Sequence, residues 1–241
     1  MKIALISDIH GNHVALTAVL QDLERHQPDK LICLGDVATI GPQPKEVLAT
    51  LQTLDCTFIQ GNHDAALLQP EKASDYNIHP ALHDNLAWVV SELAPKDIIF
   101  LQAFLPTYEL NLGAGKTMLC FHATPQNNID NIINTTPTEL VDSYLHGTDA
   151  DVLAGGHTHI QMLRMHHGRL LINAGSVGNS FIEPPPNEFP RLSPWAEYAL
   201  VAQQKGTISV HFHKLPLDIE AVHAAARASK MPNTDWWLAQ Y

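Results

Sequence analysis

Short apolar runs alternate with helix-period segments through the first half of the chain. "KIALIS" (2–7), "LICLG" (31–35) and "CTFIQG" (56–61) read as buried strands. Between the first two, Leu16, Val19, Leu20 and Leu23 recur at i, i+3, i+4, i+7, an amphipathic helix that Pro28 ends. Between the second and third, Pro44 opens a helix with Val47, Leu48, Leu51 and Leu54 on one face. This βαβαβ spacing predicts a parallel sheet with right-handed crossovers. Residues 65–83 read as loop, followed by a helix whose Leu86, Val89, Val90 and Leu93 share a face before Pro95. "KDIIFLQAF" (96–104) reads as another helix and "TMLCFH" (117–122) as a strand. Thr136 and Glu139 stand at capping-box spacing around Pro137, a helix start for "TPTELVDSYL". "DVLAGG", "RLLINAG", "EYALVAQ" and "ISVHFHKL" are four further strands with little helix between them, which points to a second, antiparallel or mixed sheet. Asp218 to Ala228 reads as a tail helix, and the Pro-rich stretch 183–194 as a loop that cannot be sheet interior. Nothing marks a boundary, so one domain over 1–241, with 216–241 as a helical tail, is expected.

Composition narrows the function classes. With 14 Lys+Arg against 25 Asp+Glu, the formal charge is -11, which disfavours extended nucleic-acid or anionic-membrane binding. A phosphorylated substrate remains open if cations line its site. The apolar run at the N-terminus is too short for a signal peptide, and no segment reaches membrane-spanning length. Cys33, Cys56 and Cys120 each lie in a strand-like run without a CxxC partner. They read as buried thiols of a cytoplasmic protein.

The polar residues that stand out sit where the apolar strands end. Asp8 and His10 follow the first strand, Asp36 the second, Asn62 and His63 the third. His122 follows "MLCF", and His157 and His159 follow "VLAGG". In open α/β sheets ligands bind at the strand carboxyl ends, so five segments converge on one rim. Asp8/His10 and His157/His159 are i, i+2 pairs, which in extended backbone point to one side. Carboxylate, imidazole and amide oxygen are divalent-metal donors. Seven such groups exceed the needs of one ion and point to two ions sharing a carboxylate. Two dications against Asp8 and Asp36 leave a net positive site that attracts phosphate. Each motif taken singly has an ordinary alternative: Asp8 as a helix N-cap near His13, His122 as a structural hydrogen-bonded residue, "GNHD" as a tight turn. Five together at successive strand ends do not reduce to caps and turns.

The ordered series "DIHGN", "GDVATIGP", "GNHD", "FHATP" and "GGHTH" resembles the calcineurin-like metallophosphoesterase superfamily. Within it the chain is similar, from Met1 to about Leu215, to the small bacterial and archaeal phosphodiesterases (the YfcE-like group). The resemblance implies an α/β fold, a four-layer α-β-β-α sandwich of two mixed sheets. It implies one metal held by Asp8, His10 and His159 and another by Asn62, His122 and His157, with Asp36 bridging. His63 would contact the phosphate and protonate the leaving oxygen, and a hydroxide bridging the ions would attack phosphorus in line. Gly11, Gly35, Gly61, Gly155 and Gly156 would let the backbone turn sharply beside the ions. Mn²⁺ is the expected metal pair, with Ni²⁺, Fe, Zn²⁺ or Mg²⁺ compatible with the same donors.

One departure bears on the substrate. Phosphoprotein phosphatases of the superfamily carry "GDxVDRG", whereas here Thr39 and Ile40 stand in place of the Asp and Arg. The acidic partner of His63 and a guanidinium for a phosphomonoester are missing there. A small-molecule phosphodiester, with nucleotides among the candidates, is the expected substrate. A phosphomonoesterase or promiscuous phosphatase is the alternative within this chemistry, and a non-catalytic scaffold or a nuclease lies outside it. Asp64 beside His63, Arg191 in the Pro-rich loop, and His79 and His83 near the expected mouth are left without a role. Trp236 and Trp237 read as an anchor for the tail or a subunit contact, and a homo-oligomer is compatible with the sequence.

Overall fold

The computed structural model describes residues 1–182 and 191–241. Its first sheet contains β1 (Lys2–Ile6), β2 (Lys30–Cys33) and β3 (Cys56–Phe58), parallel to one another as the βαβαβ spacing predicts. β9 (Trp195–Gln204) and β10 (Thr207–Pro216) extend this sheet antiparallel beyond β1, giving the order β10-β9-β1-β2-β3. That is a correction, since the sequence placed both strands in the second sheet. β10 pairs with its neighbour β9, but β9 pairs with the N-terminal strand, some two hundred residues away, which no local pattern reveals.

The second sheet has the order β4-β5-β6-β8-β7. Its strands are β4 (Tyr108–Gly113), β5 (Lys116–Cys120), β6 (Val152–Gly155), β7 (Met162–His166) and β8 (Arg169–Asn173). β4 and β7 escaped the sequence reading, although in "YELNLG" Leu110 and Leu112 alternate inward in the period of a half-buried strand. Both sheets are mixed, as expected.

Side-chain alternation along β1 builds the layers. Ile3 and Leu5 face the second sheet and meet Met118, Val152 and Ile172 between the sheets. Ala4 and Ile6 face the opposite way, onto α1 (His13–His26), α2 (Pro44–Leu51) and the helices α4 (His83–Glu92) and α5 (Pro95–Gln102). Leu119, Phe121, Leu153 and Leu171 on the outer face of the second sheet pack on Val141 and Leu145 of the α6 (Thr138–Tyr144) segment. The result is the four-layer α-β-β-α sandwich.

Helix starts were read less well than helices. α1 is capped by Asn12, whose Oδ1 accepts from the Ala15 amide at 3.0 Å, an interaction worth about 1 kcal/mol; Asp8 is not the cap. The capping box expected at Thr136 does not form either. Pro137 occupies the N-cap and Thr136 Oγ1 instead accepts from the Ile133 amide at 2.9 Å. Residues 65–83 are more ordered than a loop: α3 (Asn62–Leu68) comes first, then single 3₁₀ turns at Pro70–Lys72 and Pro80–Leu82. Seven residues are too few for periodicity to declare a helix.

The tail forms α7 (Ile219–Ser229) and α8 (Thr234–Leu238). Val222, Ala226, Met231 and Trp237 cluster there with Leu192, against partly buried Val14, Ile40 and Phe181. Cys33 and Cys120 are buried, whereas Cys56 is only partly so. Among the described residues no helix is long and apolar enough to cross a membrane. Most of the expected Pro-rich loop, residues 183–190, lies outside the described residues.

Candidate functional site

Strand ends deliver every predicted donor to one rim, but not through extended backbone. Asp8, His10, Asp36, His157 and His159 all have φ between 46° and 67°. The i, i+2 pairs are therefore turns through the left-handed region, and this corrects the expectation of extended pairs. Such φ values are strained for non-glycine residues, costing roughly 1 kcal/mol or more each, and strain of this kind clusters at functional sites. Backbone crowding around Asp36 is equally strict. A Cβ on Gly35, itself at φ 106°, would lie 2.5 Å from the Gly61 amide nitrogen, and a Cβ on Gly61 would collide with Asp36 Oδ1. Gly61, Gly155 and Gly156 do not have positive φ; close approach, rather than sharp turning, is what requires them.

Two triads result, Asp8/His10/His159 and Asp36/His122/His157, each with one donor atom per residue within 4.8 Å of the others. Asp8 and His10 in the first have no exposed surface and His159 little, and Asp36 and His122 in the second are each 1% exposed. Asp36 links them: its Oδ2 lies 3.3 Å from His122 Nε2 and 3.9 Å from His10 Nε2. Asn62 joins the second triad, with Oδ1 3.2 Å from His122 Nε2, while its amide group donates to the Tyr76 carbonyl at 2.9 Å. That bond turns the amide oxygen inward.

The far side of each ring decides what the near side offers. His122 Nδ1 faces the Leu34 carbonyl at 2.7 Å, and His159 Nδ1 faces the Asn179 carbonyl at 2.7 Å. A carbonyl only accepts, so Nδ1 carries the proton in both rings, and in the neutral rings the Nε2 lone pair points into the site. There His159 Nε2 meets His10 Nε2 at 3.0 Å and Asp8 Oδ1 at 3.3 Å. Asp8 Oδ1 has no hydrogen-bond partner among the described residues. Lone pairs and a bare carboxylate oxygen converging in a buried site call for positive charge. Divalent cations fit these donors.

Electrostatics agree. Burial, then the neighbouring His159, holds the His10 imidazole well below its ordinary pKa, and burial and His122 bring His157 down to about 4. Both rings are therefore neutral. Burial opposes ionisation of Asp8, but His159 outweighs it and holds that carboxyl at about 2. Asp36 is likewise held low by His122 and His63 against its burial. Burial disfavours charge on His122 too, yet Asp36 raises it to about 10. Without ions, then, this ring supplies the positive charge the carboxylates demand, a charge that a bound cation would supply in its place.

Sequence reasoning missed the role of Thr39. Its Oγ1 lies 2.8 Å from His63 Nδ1 and 3.3 Å from His10 Nδ1. With His10 presenting Nε2 inward, its Nδ1–H donates to Thr39, whose hydroxyl in turn donates to His63 Nδ1. His63 is left with a proton on Nε2. The neutral hydroxyl replaces the missing acid as the partner of His63, and burial keeps that ring's pKa low. Asp64 does not orient His63. It accepts from the amides of Asp36 at 2.8 Å, Val37 at 3.0 Å and Gly61 at 2.9 Å, tying the Asp36 loop to the start of α3. Burial and Asp36 nevertheless raise its pKa to about 7. The exposed His79 caps the second 3₁₀ turn and His83 meets the Ile78 carbonyl, so both serve local structure. Arg191 is exposed, its carbonyl accepting from Ile182.

The model of the calcineurin-like phosphoesterase superfamily domain matches residues 1–190. The chain belongs to this superfamily. An uncharacterized protein of Methanocaldococcus jannaschii is 31% identical over 176 residues, 73% of this chain and 69% of the relative. A metallophosphoesterase of Sphaerobacter thermophilus superposes with a TM-score of 0.76 at 23% identity, covering 100% of this chain and 98% of that one. A hypothetical protein of Pyrococcus horikoshii gives 0.80 at 21%, covering 99% and 96%. The two structural likenesses establish the fold. The superfamily makes the chain a metal-dependent phosphoesterase by class.

Proposed function

We propose that the chain is a dinuclear metal-dependent phosphodiesterase acting on small molecules. The observation that carries this reading is Asp36 Oδ2, placed between the two triads, 3.3 Å from His122 Nε2 and 3.9 Å from His10 Nε2. Asp8, His10 and His159 would hold one divalent ion, Asn62, His122 and His157 the other, and Asp36 both. When bound, such ions supply Lewis acidity and water that ionises near neutral pH. The remaining steps belong to the chain. Asp64 fixes the Asp36 loop through three amide bonds. Thr39 holds His63 with Nε2–H outward, where it donates to a phosphate oxygen and steadies the departing group. His63 is neutral at pH 7, so it contributes a hydrogen bond more than a full positive charge.

The preference for a diester rests on what stands beside the site. Ile40, in the place of the phosphatase arginine, lines an apolar cavity with Leu82, Phe181 and His159. An uncharged second ester group suits that wall better than the extra negative charge of a monoester does. Mn²⁺ is the favoured ion, and a cytoplasmic, single-domain protein is the favoured setting.

The experiment is to strip the metals and compare bis-p-nitrophenyl phosphate with p-nitrophenyl phosphate in Mn²⁺, Ni²⁺, Zn²⁺ and Mg²⁺. Faster diester hydrolysis is expected. A monoester preference would transfer the assignment to a phosphomonoesterase, and silence on both substrates in every metal would leave a non-catalytic scaffold.

A further inference from the structure

The metal donors have two unlike flanks. Beside His122, a cavity of about 160 Å³ is lined by the amide side chains of Gln60, Gln126, Asn127 and Asn128. Beside His159, a cavity of about 100 Å³ is walled by Ile40, Leu82, Phe181 and Leu192 and by Trp236 and Trp237 of α8. Ile40, Leu82, Phe181 and Trp236 are only partly buried, so among the described residues this second cavity meets solvent. It also borders the donors. His159 Nε2 lies 3.3 Å from Asp8 Oδ1, while the same ring lies 4.4 Å from Phe181. Ile40 follows Thr39, whose hydroxyl holds His63. A group in this cavity is one imidazole away from the metal donors.

The chemistry of the wall selects that group. It offers almost no polar surface, so a hydroxyl, an amide or a charge would lose its water there without replacement. An apolar group gains in proportion to the area it buries. The rings of His159, Phe181, Trp236 and Trp237 favour an aromatic occupant, because edge and face contacts between rings add to burial. Size sets the upper bound. An engineered cavity of roughly 150 Å³ admits one benzene, so this one holds no more than a single ring. The superfamily model ends at residue 190, so Leu192 and the two tryptophans that close the cavity come from beyond the matched domain.

We infer that this cavity takes one apolar, single-ring ester group of the substrate. The substrate class is then an aryl phosphodiester, its phosphate at the metal donors and its ring between Ile40 and the tail tryptophans. The catalytic part rests on the diesterase reading above; the apolar site itself does not.

Two measurements on the full chain separate them. In the Mn²⁺-loaded protein, methyl phenyl phosphate and dimethyl phosphate compete with bis-p-nitrophenyl phosphate. The two inhibitors carry the same charge and differ by one ring. The phenyl ester should bind at least about 10-fold more tightly, the lower end of what burying a phenyl-sized side chain provides. In saturation-transfer NMR, phenol, which has no phosphate, should receive saturation at its ring protons. Leu82→Trp fills the cavity from its rim and should bring the ratio of inhibition constants close to 1 and weaken the phenol signal. Where Leu82→Trp does not fold, Trp236→Ala strips a wall instead and should lower the ratio at least about 3-fold. Equal inhibition constants with no phenol signal would overturn the inference, while hydrolysis of bis-p-nitrophenyl phosphate would leave the diesterase reading intact. A phenyl preference that survives in the folded variants would place the ring elsewhere and overturn it too. Phenol saturation that the variants weaken, with no phosphodiester hydrolysed in any metal, would sink the diesterase reading and sustain the apolar site.

Discussion

Histidine and aspartate come together in two very different ways in this molecule. At the strand ends, Asp8, His10 and His159 converge with their ring lone pairs inward, while backbone carbonyls occupy the outer nitrogens of His122 and His159. On the outside of the second sheet, Asp142, His166 and His167 make a group equally tight in its distances. There the rings satisfy the carboxylate directly, His166 Nε2 at 2.8 Å and His167 Nε2 at 2.9 Å from the same Asp142 oxygen. Asp22 is similarly served, with the Tyr198 hydroxyl donating to it at 2.6 Å beside His26 and His213. The inner triads leave Asp8 Oδ1 orphaned, whereas the outer groups are complete without any ion. The discriminating feature is the partner of the second ring nitrogen, because it fixes whether the first is a donor or a bare lone pair.

That contrast is broken most severely by Asp36→Asn. It should lower bound metal and diesterase activity together, by about 100-fold or more in activity, since loss of even an outer-shell partner costs 10–100-fold. Elemental analysis alongside the assay reads both, and full activity would remove Asp36 from the centre. His63→Ala should cost roughly 10²–10³-fold in kcat, with metal content retained because His63 belongs to neither triad. Metal loss on a par with Asp36→Asn would make it a ligand. Thr39→Val should cost about 10-fold in kcat, again with metal retained, and Thr39→Ser should restore the rate. If serine failed where valine failed, the hydroxyl chain between His10 and His63 would not be its cause. Asp142→Asn should do least. Bound metal and activity stay at wild-type levels, and a drop in metal stoichiometry would show that the outer group is a site after all.

Legibility followed the range of the interaction. Asp8, His10, Asp36, Asn62, His63, His122, His157 and His159 were readable because an apolar run declares where a strand ends, and the rim follows from parallel topology. Thr39 was readable only as an absent acid. Its bonds to His63 and His10 cross 24 and 29 residues of sequence. Asp64 had no readable role, because the amides it binds at Asp36 and Val37 lie 28 and 27 residues away in sequence. The Thr136 capping box had the right letters and was displaced by Pro137, whose fixed φ suits the helix entrance.

By itself the sequence determined the three parallel strands of the first sheet, the presence of a second sheet, and the gathering of His, Asp and Asn side chains at the strand ends. Each is written in local periodicity or in the residue that ends a run. Tertiary structure alone decided that β9 and β10 extend the first sheet beyond β1, that Thr39 links His10 to His63, and that the tail tryptophans wall a cavity against His159. The physical reason is common to all three. Sheet pairing, ring-nitrogen direction and cavity walls depend on which distant backbone comes within hydrogen-bonding or van der Waals reach. Periodicity along the chain has no register of that.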